Sequence, residues 1–482
     1  MTDFTKQGLE VAQSQFGFSQ LRSHQSVVLD AVGQGQDCLV VVPTGSGKSY
    51  CYFLPAMVLP HLVVVISPLV ALIRDQERRC RALGVPVAAF YAQQDLDERQ
   101  AATDLLNQGK AKILLVSPER LARPAFREWL SQLPISMVAI DEAHCISQWG
   151  YHFRPEYRKI GEYLEDLPRA PRLALTATAT PRVQDDVKEA LQLTDPVTHI
   201  ASFHRANLEQ SVVQCGSLGG QRAFVLNAVL NQSGSGIVYA PTRRIVREVH
   251  DSLVQAGVRA VAYHGGLDGD QKRSAYLQFT RGTASVVVAT SAFGMGIDKR
   301  DIRYVYHCGM PGTLEQYVQE MGRAGRDGLP AQCRLFYGPK DFFIQKFMLD
   351  HSYPDPHVLK RVFDLAIGFM HDGRGRDEDW LAREIRLKGD FDTKDVQGAL
   401  SVLYREGALL RLVASEGSAG DWLGGEAAQI IPGHLDGDYW VAYSQKRDEA
   451  HRRLRALLRY IKFPKEREAI MKAYFCDGEI PT

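Results

Sequence analysis

Short, almost wholly apolar runs recur along the first half of this chain, and longer segments with helical periodicity separate them. The runs predict strands at CLVVV (38–42), HLVVVIS (61–67), KILLVS (112–117), MVAID (137–141) and RLALTA (172–177). A helix is predicted over 69–83, in the interval after the second run. Strands that alternate with helices in this way indicate a mostly parallel sheet covered by helices.

The same pattern restarts near residue 201. The predicted strands there are GIVYA (236–240), VRAVAYH (258–264), SVVVAT (285–290), YVYHCG (304–309) and RLFYG (334–338). The expected fold class is therefore α/β, with two tandem parallel-sheet domains over residues 1–200 and 201–342.

The pattern changes after residue 340. Two short helical patterns lead into an apolar strand and then into a glycine-rich segment, EGSAGDWLGGEAAQIIP. This order predicts a winged helix, with a generic helical lid as the alternative. The segment 446–475 is helical and rich in Lys and Arg, which fits either a solvated face or a surface that binds a nucleic-acid backbone. We expect residues 343–482 to form a winged-helix-like and helical DNA-binding region.

Composition narrows the class of protein only in part. The 482 residues are 45% hydrophobic and carry a formal net charge of +1, so any basic surface for nucleic acid must be local. No apolar stretch is long enough to span a bilayer, and the N-terminus lacks the pattern of a secretory signal. The eight cysteines are scattered without a CxxC pair, which favours reduced thiols in the cytoplasm over disulfides or a compact zinc site.

A phosphate-binding loop is predicted directly after the first strand, at TGSGKS (44–49). Gly45 and Gly47 let backbone N–H groups wrap around phosphate oxygens. Lys48 supplies positive charge for the β- and γ-phosphates, and the Ser49 hydroxyl can join a Mg²⁺ shell. A chance glycine turn is the alternative, but the order of strand, loop and helix favours the phosphate loop.

An acidic pair ends the strand MVAID, in the sequence DEAH (141–144). Asp141 is placed to orient the magnesium ion, and Glu142 to activate the attacking water. Such a pair alone is often only a solvated loop. Its position on a later strand of the sheet that holds Lys48 favours the catalytic interpretation.

Two arginines in QEMGRAGRDG (319–328) form the third candidate element of the site. Arg323 and Arg326 lie three residues apart and so share one helical face. They can stabilise charge on the γ-phosphate in the transition state, although surface salt bridges are the usual fate of such residues. If they reach the nucleotide, ATP must bind in a cleft between the two α/β domains, and hydrolysis is coupled to domain closure.

Together these segments resemble superfamily-two helicases with two RecA-like domains, and within them the RecQ family. The resemblance extends over residues 10–345. It also rests on FGFSQLRSHQ (16–25), SPLVALIRDQ (67–76), SPERL (117–121), TATAT (176–180), YAPTRR (239–244), YHGGL (263–267) and TSAFGMGID (290–298), which follow in the family's order.

The resemblance implies roles for several residues. Gln25 and Arg22 would contact adenine and phosphate, and Asp298 the nucleotide sugar. Ser67 and Pro68 belong to a strand-end segment that would touch the DNA backbone. The predicted ATP-binding residues are Arg22, Gln25, Thr44, Gly45, Gly47, Lys48, Ser49 and Asp298.

The aromatic-rich segment SQWGYHFRPEY follows the acidic pair and is similar to the loop that distinguishes RecQ proteins from other DEAH-box helicases. Trp149, Phe153 and Tyr157 can stack on unpaired bases, at about 1–3 kcal/mol per base. Arg154 can pair with phosphate. Aromatic residues behind a strand are more often core, but the mixture with Arg, His and Gln is unlike a core pattern.

The chain departs from the family in two places. Tyr151 and His152 stand where the family usually has His-Asp, which puts the coupling between DNA and ATP in question. The four-cysteine zinc site that most RecQ proteins carry has no counterpart, so we predict no structural zinc. Trp422, in the predicted hairpin, is a candidate wedge for duplex DNA or an ordinary packed tryptophan.

The resemblance implies an ATP-dependent 3′–5′ DNA helicase that uses ATP and Mg²⁺ and acts in DNA recombination and repair. Its expected partners are single-stranded DNA and branched or tailed duplex DNA. We expect a cytoplasmic, chromosome-associated monomer without a membrane segment. Two alternatives remain open at this point: an RNA-directed DEAH-box helicase, and a DNA-binding or annealing ATPase switch without processive unwinding.

Overall fold

The apolar runs of the first half form buried parallel strands in the computed structural model. The structure describes residues 2–92, 94–147, 154–203, 205–294, 297, 299–371, 378–412, 429–432 and 438–477. The first strands are β1 (Cys38–Val41), β2 (Leu62–Ile66), β3 (Val87–Phe90), β4 (Ile113–Val116), β5 (Ile135–Ile140), β6 (Arg172–Thr176) and β7 (Val197–Ile200). Among the described residues they form one sheet in the order β3-β4-β2-β5-β6-β1-β7, in which every pairing is parallel.

Helices cover this sheet on both faces, as a parallel sheet with apolar strands requires. They are α1 (Asp3–Ser14), α2 (Ser23–Gly33), α3 (Tyr50–Val58), α4 (Val70–Ala82), α5 (Leu96–Asn107), α6 (Pro118–Leu121), α7 (Pro124–Ser131), α8 (Pro155–Arg158), α9 (Ile160–Tyr163) and α10 (Pro181–Ala190). A core that includes Leu29, Phe53 and Ile73 joins the first four helices to the sheet. The helices that later carry site residues, α2, α3 and α4, are therefore fixed by apolar packing.

A second parallel sheet follows. Its strands are β8 (Leu208–Gln214), β9 (Ser235–Tyr239), β10 (Ala260–Tyr263), β11 (Val286–Ala289), β12 (Ile302–Cys308) and β13 (Ala331–Tyr337). Their order in the described part of the chain is β10-β11-β9-β12-β13-β8, again with parallel pairing throughout. Its helices are α11 (Leu218–Leu230), α12 (Arg243–Gln255), α13 (Gly269–Thr280) and α14 (Leu314–Met321). The prediction of two tandem α/β domains is confirmed.

Hydroxyl and carboxylate side chains set where the helices of this second sheet begin. Ser217, Thr242 and Thr313 each accept a hydrogen bond from a backbone N–H of the first turn, and Asp268 forms a capping box with Gln271. These caps satisfy N–H groups that have no partner inside the helix.

Residues 340–455 form a second compact unit, whereas residues 456–482 belong to the unit that contains both parallel sheets. The elements here are α15 (Asp341–Ser352), α16 (Pro356–His371), α17 (Glu378–Gly389), α18 (Thr393–Arg405), β14 (Leu409–Leu412), β15 (Gln429–Pro432) and the start of α19 (Tyr439–Lys462). Strands β14 and β15 pair antiparallel. The winged helix stays a prediction, because Trp422 and the rest of 413–428 lie outside the described residues.

After α19 the chain continues through a 3₁₀ turn (Pro464–Glu466) into α20 (Arg467–Lys472) and a π-helical turn (Ala473–Asp477). This final segment lies against the sheets of the first unit: the Phe475 ring stacks on Phe203 with centroids 4.2 Å apart. Among the described helices, none is both long and apolar enough to cross a membrane.

Candidate functional site

The predicted phosphate loop lies between β1 and α3. Gly45 and Gly47 have φ angles of 84° and 80°, a left-handed conformation that glycine adopts without a Cβ penalty. Two side chains from the entrance to α2 hold the loop from one side. Arg22 Nη1 donates to the Gly45 carbonyl at 3.3 Å, and Gln25 Nε2 lies 3.5 Å from the Gly47 carbonyl. The residues predicted from FGFSQLRSHQ and from TGSGKS thus meet in one place.

The acidic pair lies at the end of β5. Strand β6 lies between β5 and β1, the strand that leads into the phosphate loop. Asp141 is buried, and the burial, together with the charge of Glu142, raises the pKa of its carboxyl group, while Lys48 opposes that shift. Glu142 has a φ of 49°, a left-handed conformation that is uncommon for a residue with a side chain. Backbone strain of this kind concentrates at functional sites, where the surrounding structure maintains it.

A buried hydrogen bond joins the DEAH segment to TATAT. His144 Nδ1 lies 2.9 Å from the Thr176 hydroxyl, and the same imidazole lies 3.4 Å from Glu142. Burial lowers the pKa of the His144 imidazole, although the charge of Glu142 opposes that shift. The hydrogen bond therefore connects the end of β6 to the DEAH segment.

The arginine pair follows α14, a helix of the second parallel-sheet domain. Arg323 donates to the Gly294 carbonyl, and Arg326 Nη1 donates to the Ile297 carbonyl at 2.6 Å. Both carbonyls belong to the segment TSAFGMGID, so this segment sets the orientation of the two guanidinium groups. Asp298, the predicted sugar contact in that segment, lies outside the described residues.

These three elements line one cavity of about 270 Å³, which we call the nucleotide cavity. The predicted residues that line it are Arg22, Gln25, Thr44, Gly45, Gly47, Lys48, Ser49, Asp141, Glu142, Arg323 and Arg326. Both parallel-sheet domains contribute residues to the lining of this cavity. This geometry agrees with the cleft between the domains that the arginine motif predicted.

Several residues of the cavity were not singled out from the sequence. They are Phe18, Gln20, Tyr50, Leu72, Asp75, Gln76, Arg79, Ile297, Arg300 and Gln319. Phe18 packs edge-to-face on Tyr50 with centroids 4.6 Å apart, and the Arg79 guanidinium lies 5.2 Å from the centre of the same ring. The helical spacing of Leu72, Gln76 and Arg79 on α4 is the signal that could have identified one wall of the cavity.

The side chains suit a magnesium ion that accompanies a nucleotide. Ser49 and Asp141 offer a hydroxyl and a carboxylate, which are oxygen ligands of the kind Mg²⁺ prefers. Burial raises the pKa of the Asp141 carboxyl, and a bound cation would favour its ionised form. The described residues contain no group of three or more His, Cys, Asp or Glu side chains able to hold a metal, so the ion would keep water and phosphate oxygens as its other ligands. The predicted absence of zinc stays a prediction.

The predicted DNA contacts are described only in part, since Trp149 and Phe153 lie outside the described residues. Arg154 Nη1 donates to the Pro68 carbonyl at 2.6 Å, which ties the end of the aromatic loop to the strand-end segment. Ser67 is buried beside it.

Tyr157 differs from the expectation that it stacks on a base. Its ring is fully buried, and its hydroxyl lies 3.0 Å from the Ile66 carbonyl and 2.6 Å from the Asp141 carbonyl. An aromatic ring with no exposed face presents nothing for a base to stack on. Tyr157 thus supports the ends of β2 and β5, where the core interpretation of an aromatic residue behind a strand applies.

Family models match both halves of this site. The model described as DEAD/DEAH box helicase matches residues 22–187, and the one described as helicase conserved C-terminal domain matches residues 221–328. Solved structures share the fold: helicase Lhr of Mycobacterium smegmatis, bound to ssDNA and AMP-PNP, aligns with a TM-score of 0.56 at 22% identity, over 86% of this chain and 59% of that one. Mss116p, bound to ssRNA and AMP-PNP, aligns with a TM-score of 0.58 at 15% identity, over 83% and 89%. Fold and site define a superfamily-two helicase core.

Curated relatives are more specific. The chain is 42% identical over 362 residues to ATP-dependent DNA helicase RecQ of Pasteurella multocida, which is 75% of this chain and 57% of that protein. It is 40% identical over 333 residues to the protein named probable ATP-dependent DNA helicase RecS of Bacillus subtilis, which is 69% of this chain and 67% of that protein. The chain therefore belongs to the RecQ family. It spans less than two thirds of the length of the RecQ relatives from P. multocida and Haemophilus influenzae.

Proposed function

We propose that this protein is an ATP-dependent DNA helicase of the RecQ type, which translocates 3′ to 5′ on single-stranded DNA and acts in DNA recombination and repair. The observation that carries the proposal is the nucleotide cavity, to which one parallel-sheet domain contributes the phosphate loop and acidic pair and the other contributes the arginine pair. A nucleotide held from both sides draws the domains together, and its hydrolysis releases them. The names of the curated relatives support the same activity.

Each residue of the cavity then has a role in ATP hydrolysis. The backbone of the phosphate loop and Lys48 hold the phosphates, while Gln25 accepts and donates hydrogen bonds at the adenine edge. Glu142 takes the proton from the attacking water, and Arg323 and Arg326 stabilise the charge that develops on the γ-phosphate. When bound through Ser49 and Asp141, Mg²⁺ neutralises phosphate charge.

The contact between His144 and Thr176 supports coupling of this chemistry to DNA. The aromatic loop connects the acidic pair to TATAT along the chain, and we propose that Trp149 and Phe153 read the presence of unpaired bases. Trp149→Ala should abolish the stimulation of ATP hydrolysis by single-stranded DNA and leave binding of a fluorescent ATP analogue unchanged. Unchanged stimulation would refute the sensor role of Trp149.

An RNA-directed helicase is the rival within the same class. Purified protein should hydrolyse ATP at a rate that rises with single-stranded DNA of mixed sequence, and far less with RNA of the same sequence and length. Equal or greater stimulation by RNA would favour the rival.

An ATPase switch that binds or anneals DNA is the rival from another class. Glu142→Gln keeps the shape of the site and removes the base, so the variant should bind ATP and DNA but should not separate a tailed duplex. Strand separation that survives without hydrolysis would overturn the motor proposal. Annealing of complementary strands, measured on the same sample, identifies the switch.

We further propose that the protein acts as a monomer in the cytoplasm, associated with the chromosome, and without structural zinc. Light scattering coupled to size-exclusion chromatography measures the oligomeric state, and elemental analysis of the same fractions measures the metal content. A stoichiometric amount of zinc would contradict the last point.

A further inference from the structure

The connector between β7 and β8 carries an arginine that no motif of the sequence singled out. Arg205 is partly buried, and its guanidinium group reaches four backbone carbonyls. Nη1 donates to Gly322 at 2.9 Å and to Ala324 at 3.0 Å, and lies 3.4 Å from the Thr44 carbonyl. Nη2 donates to Gly325 at 2.7 Å. One side chain thus contacts both the phosphate loop and the segment that carries the arginine pair.

The segment from Gly322 to Leu329, which we call the arginine turn, needs such a partner. Helix α14 ends at Met321, so the carbonyls of Gly322, Ala324 and Gly325, to which Arg205 donates, lie beyond its hydrogen-bond ladder. A guanidinium group offers five donors in a planar fork, so it can satisfy several carbonyls at once, which a lysine ammonium on a flexible stem does less well.

A second connector residue grips the same turn. Asn207 Nδ2 donates to the Gly325 carbonyl at 2.9 Å and to the Leu329 carbonyl at 3.0 Å. The fit is close, because a Cβ on Gly325 would lie only 2.5 Å from that nitrogen. The conformation that presents Arg323 and Arg326 is therefore held from the connector side as well as by the segment around Gly294.

The phosphate loop meets this assembly directly. A Cβ placed on Gly45 would lie 3.3 Å from Arg326 Cγ and 3.4 Å from Arg205 Nη1, and one on Gly322 would lie 3.0 Å from the Thr44 Cβ. Loop, arginine turn and Arg205 are thus in van der Waals contact. A shift of the turn by about 1 Å would move Arg326, which borders the loop at Gly45, away from the γ-phosphate position, and misplacement of this size can cost about 10²-fold in rate.

We propose that Arg205 is a positioning residue for ATP hydrolysis, which holds the arginine turn in register with the phosphate loop and acts through Arg326. This inference rests on the proposed ATPase function and deepens it. Arg205 does not line the nucleotide cavity among the residues that the structure places there. It should therefore govern turnover far more than nucleotide affinity.

The test compares Arg205→Ala and Arg205→Lys with Arg303→Ala as the matched control. Arg303 binds the same turn, through both carboxylate oxygens of Asp327 at 2.7 Å and the Pro330 carbonyl, but makes no described hydrogen bond to the phosphate loop. With saturating single-stranded DNA, both Arg205 variants should lose at least about tenfold in kcat, with the KM for ATP within about threefold of wild type. Arg303→Ala should keep kcat within about twofold, because any loss there is one of local stability.

A double-mutant cycle shows whether Arg205 acts through Arg326. Arg205→Ala combined with Arg326→Ala should be no more than about twofold slower than Arg326→Ala alone, because residues that act as a unit are not additive. If the losses in kcat of the two single variants multiply in the double variant, the proposal is overturned. A kcat for Arg205→Lys equal to that of wild type would overturn it as well. A merely structural role of Arg205 would give either result.

A readout without turnover separates this inference from the proposed function. Binding of a non-hydrolysable ATP analogue should slow amide hydrogen exchange across 322–329 in the wild type and in Arg303→Ala, but not in Arg205→Ala. If the wild type binds the analogue and shows this protection yet does not hydrolyse ATP, the proposed function fails, and only the contact by which Arg205 holds the arginine turn stands. If Arg205→Ala retains the protection, the positioning role fails whatever the activity.

Discussion

Tyr157 shows how one residue behind a strand can support catalysis without touching substrate. Its hydroxyl joins the carbonyl of Asp141 to that of Ile66, and so fixes the strand end from which the acidic pair projects. The left-handed backbone at Glu142 comes directly after this point. A strained residue keeps its conformation only where its neighbours determine it, and Tyr157 is one of those neighbours.

Tyr157→Phe should therefore lower the free energy of unfolding by about 1–3 kcal/mol, because the buried Asp141 carbonyl loses the hydroxyl hydrogen that it shares with the Ile66 carbonyl. Urea unfolding measures the change. Tyr163→Phe is the control, since that hydroxyl bonds only the Glu156 carboxylate in a partly exposed position among the described contacts. Unaltered stability of Tyr157→Phe would show that this hydroxyl does not support the ends of β2 and β5.

The buried His24 makes the stability of the fold depend on pH. Burial, with the charges of Arg22, His199 and Lys48, lowers the pKa of its imidazole to about 4. The unfolded chain, with an ordinary histidine pKa near 6.5, binds this proton first as the pH falls. The contribution of His24 to stability is therefore complete above about pH 6.5 and is lost progressively between about pH 6.5 and 4.

Replacing His24 by Gln should make stability fall less steeply with acid in this interval. The difference in slope should reach at most about 1.4 kcal/mol per pH unit, which corresponds to one proton. Urea unfolding from pH 4.5 to 7.5 measures it, with His61→Gln, an exposed histidine of the same domain, as the control. Equal slopes of unfolding free energy against pH for His24→Gln and wild type would show that the buried imidazole does not cause the loss of stability in acid.

At the scale of elements, the sequence predicted the central strands of both described sheets and the edge strand β10, and missed the edge strands β3, β7 and β8. Strands β1, β2, β4, β5 and β6 are apolar runs buried on both faces, so hydrophobicity alone reveals them. Strands β7 and β8 lie at sheet edges and mix polar with apolar residues, and β3, VAAF, is short and half alanine, with weak strand propensity. Strands β7 and β8 bury less than the central strands and so leave a weaker pattern.

The site divides in a similar way. The phosphate loop, acidic pair and arginine pair were predictable because each is a contiguous segment whose spacing is imposed by the group it binds. Arg205 and Arg79 were not, because their partners are distant along the chain and a single arginine carries no spacing. The sequence could not assign Tyr157 to the core or to a base-binding loop, because an aromatic residue fits either. Its burial in the structure assigns it to the core.

The final segment of the chain belongs structurally to the two-sheet unit. Phe475 is buried and stacks on Phe203 in the connector, the Gln184 amide lies 3.4 Å from the Phe475 carbonyl, and the Tyr460 hydroxyl bonds Gln210 of β8. The segment therefore contacts α10, the connector and the second sheet. The sequence predicted a basic helical segment over 446–475, either a solvated face or a surface for a nucleic-acid backbone, and did not predict this packing.

Phe475→Ala should lower the free energy of unfolding by about 3–5 kcal/mol, because it leaves a cavity against Phe203. Phe463→Ala is the matched control, since that ring is 48% exposed and its loss leaves no buried cavity. Thermal or urea unfolding of the whole chain gives both values. Equally small changes in unfolding free energy for the two variants would mean that the final segment does not pack against the two-sheet unit in solution.

At the scale of the whole molecule, the proposed motor depends on a nucleotide shared by two parallel-sheet domains. Both domains contribute charged groups to the same cavity, and Arg205 in the connector joins the two sides. Residues 340–455 add a compact unit of helices with an antiparallel pair of strands.

The most direct test is strand separation by the whole chain on two DNA substrates that differ only in the end of the duplex that carries the single-stranded tail. With ATP and Mg²⁺, we expect the duplex with a 3′ tail to be separated, the one with a 5′ tail to remain paired, and the Glu142→Gln variant to separate neither. ATP hydrolysis stimulated by DNA without separation of the 3′-tailed duplex would contradict the account.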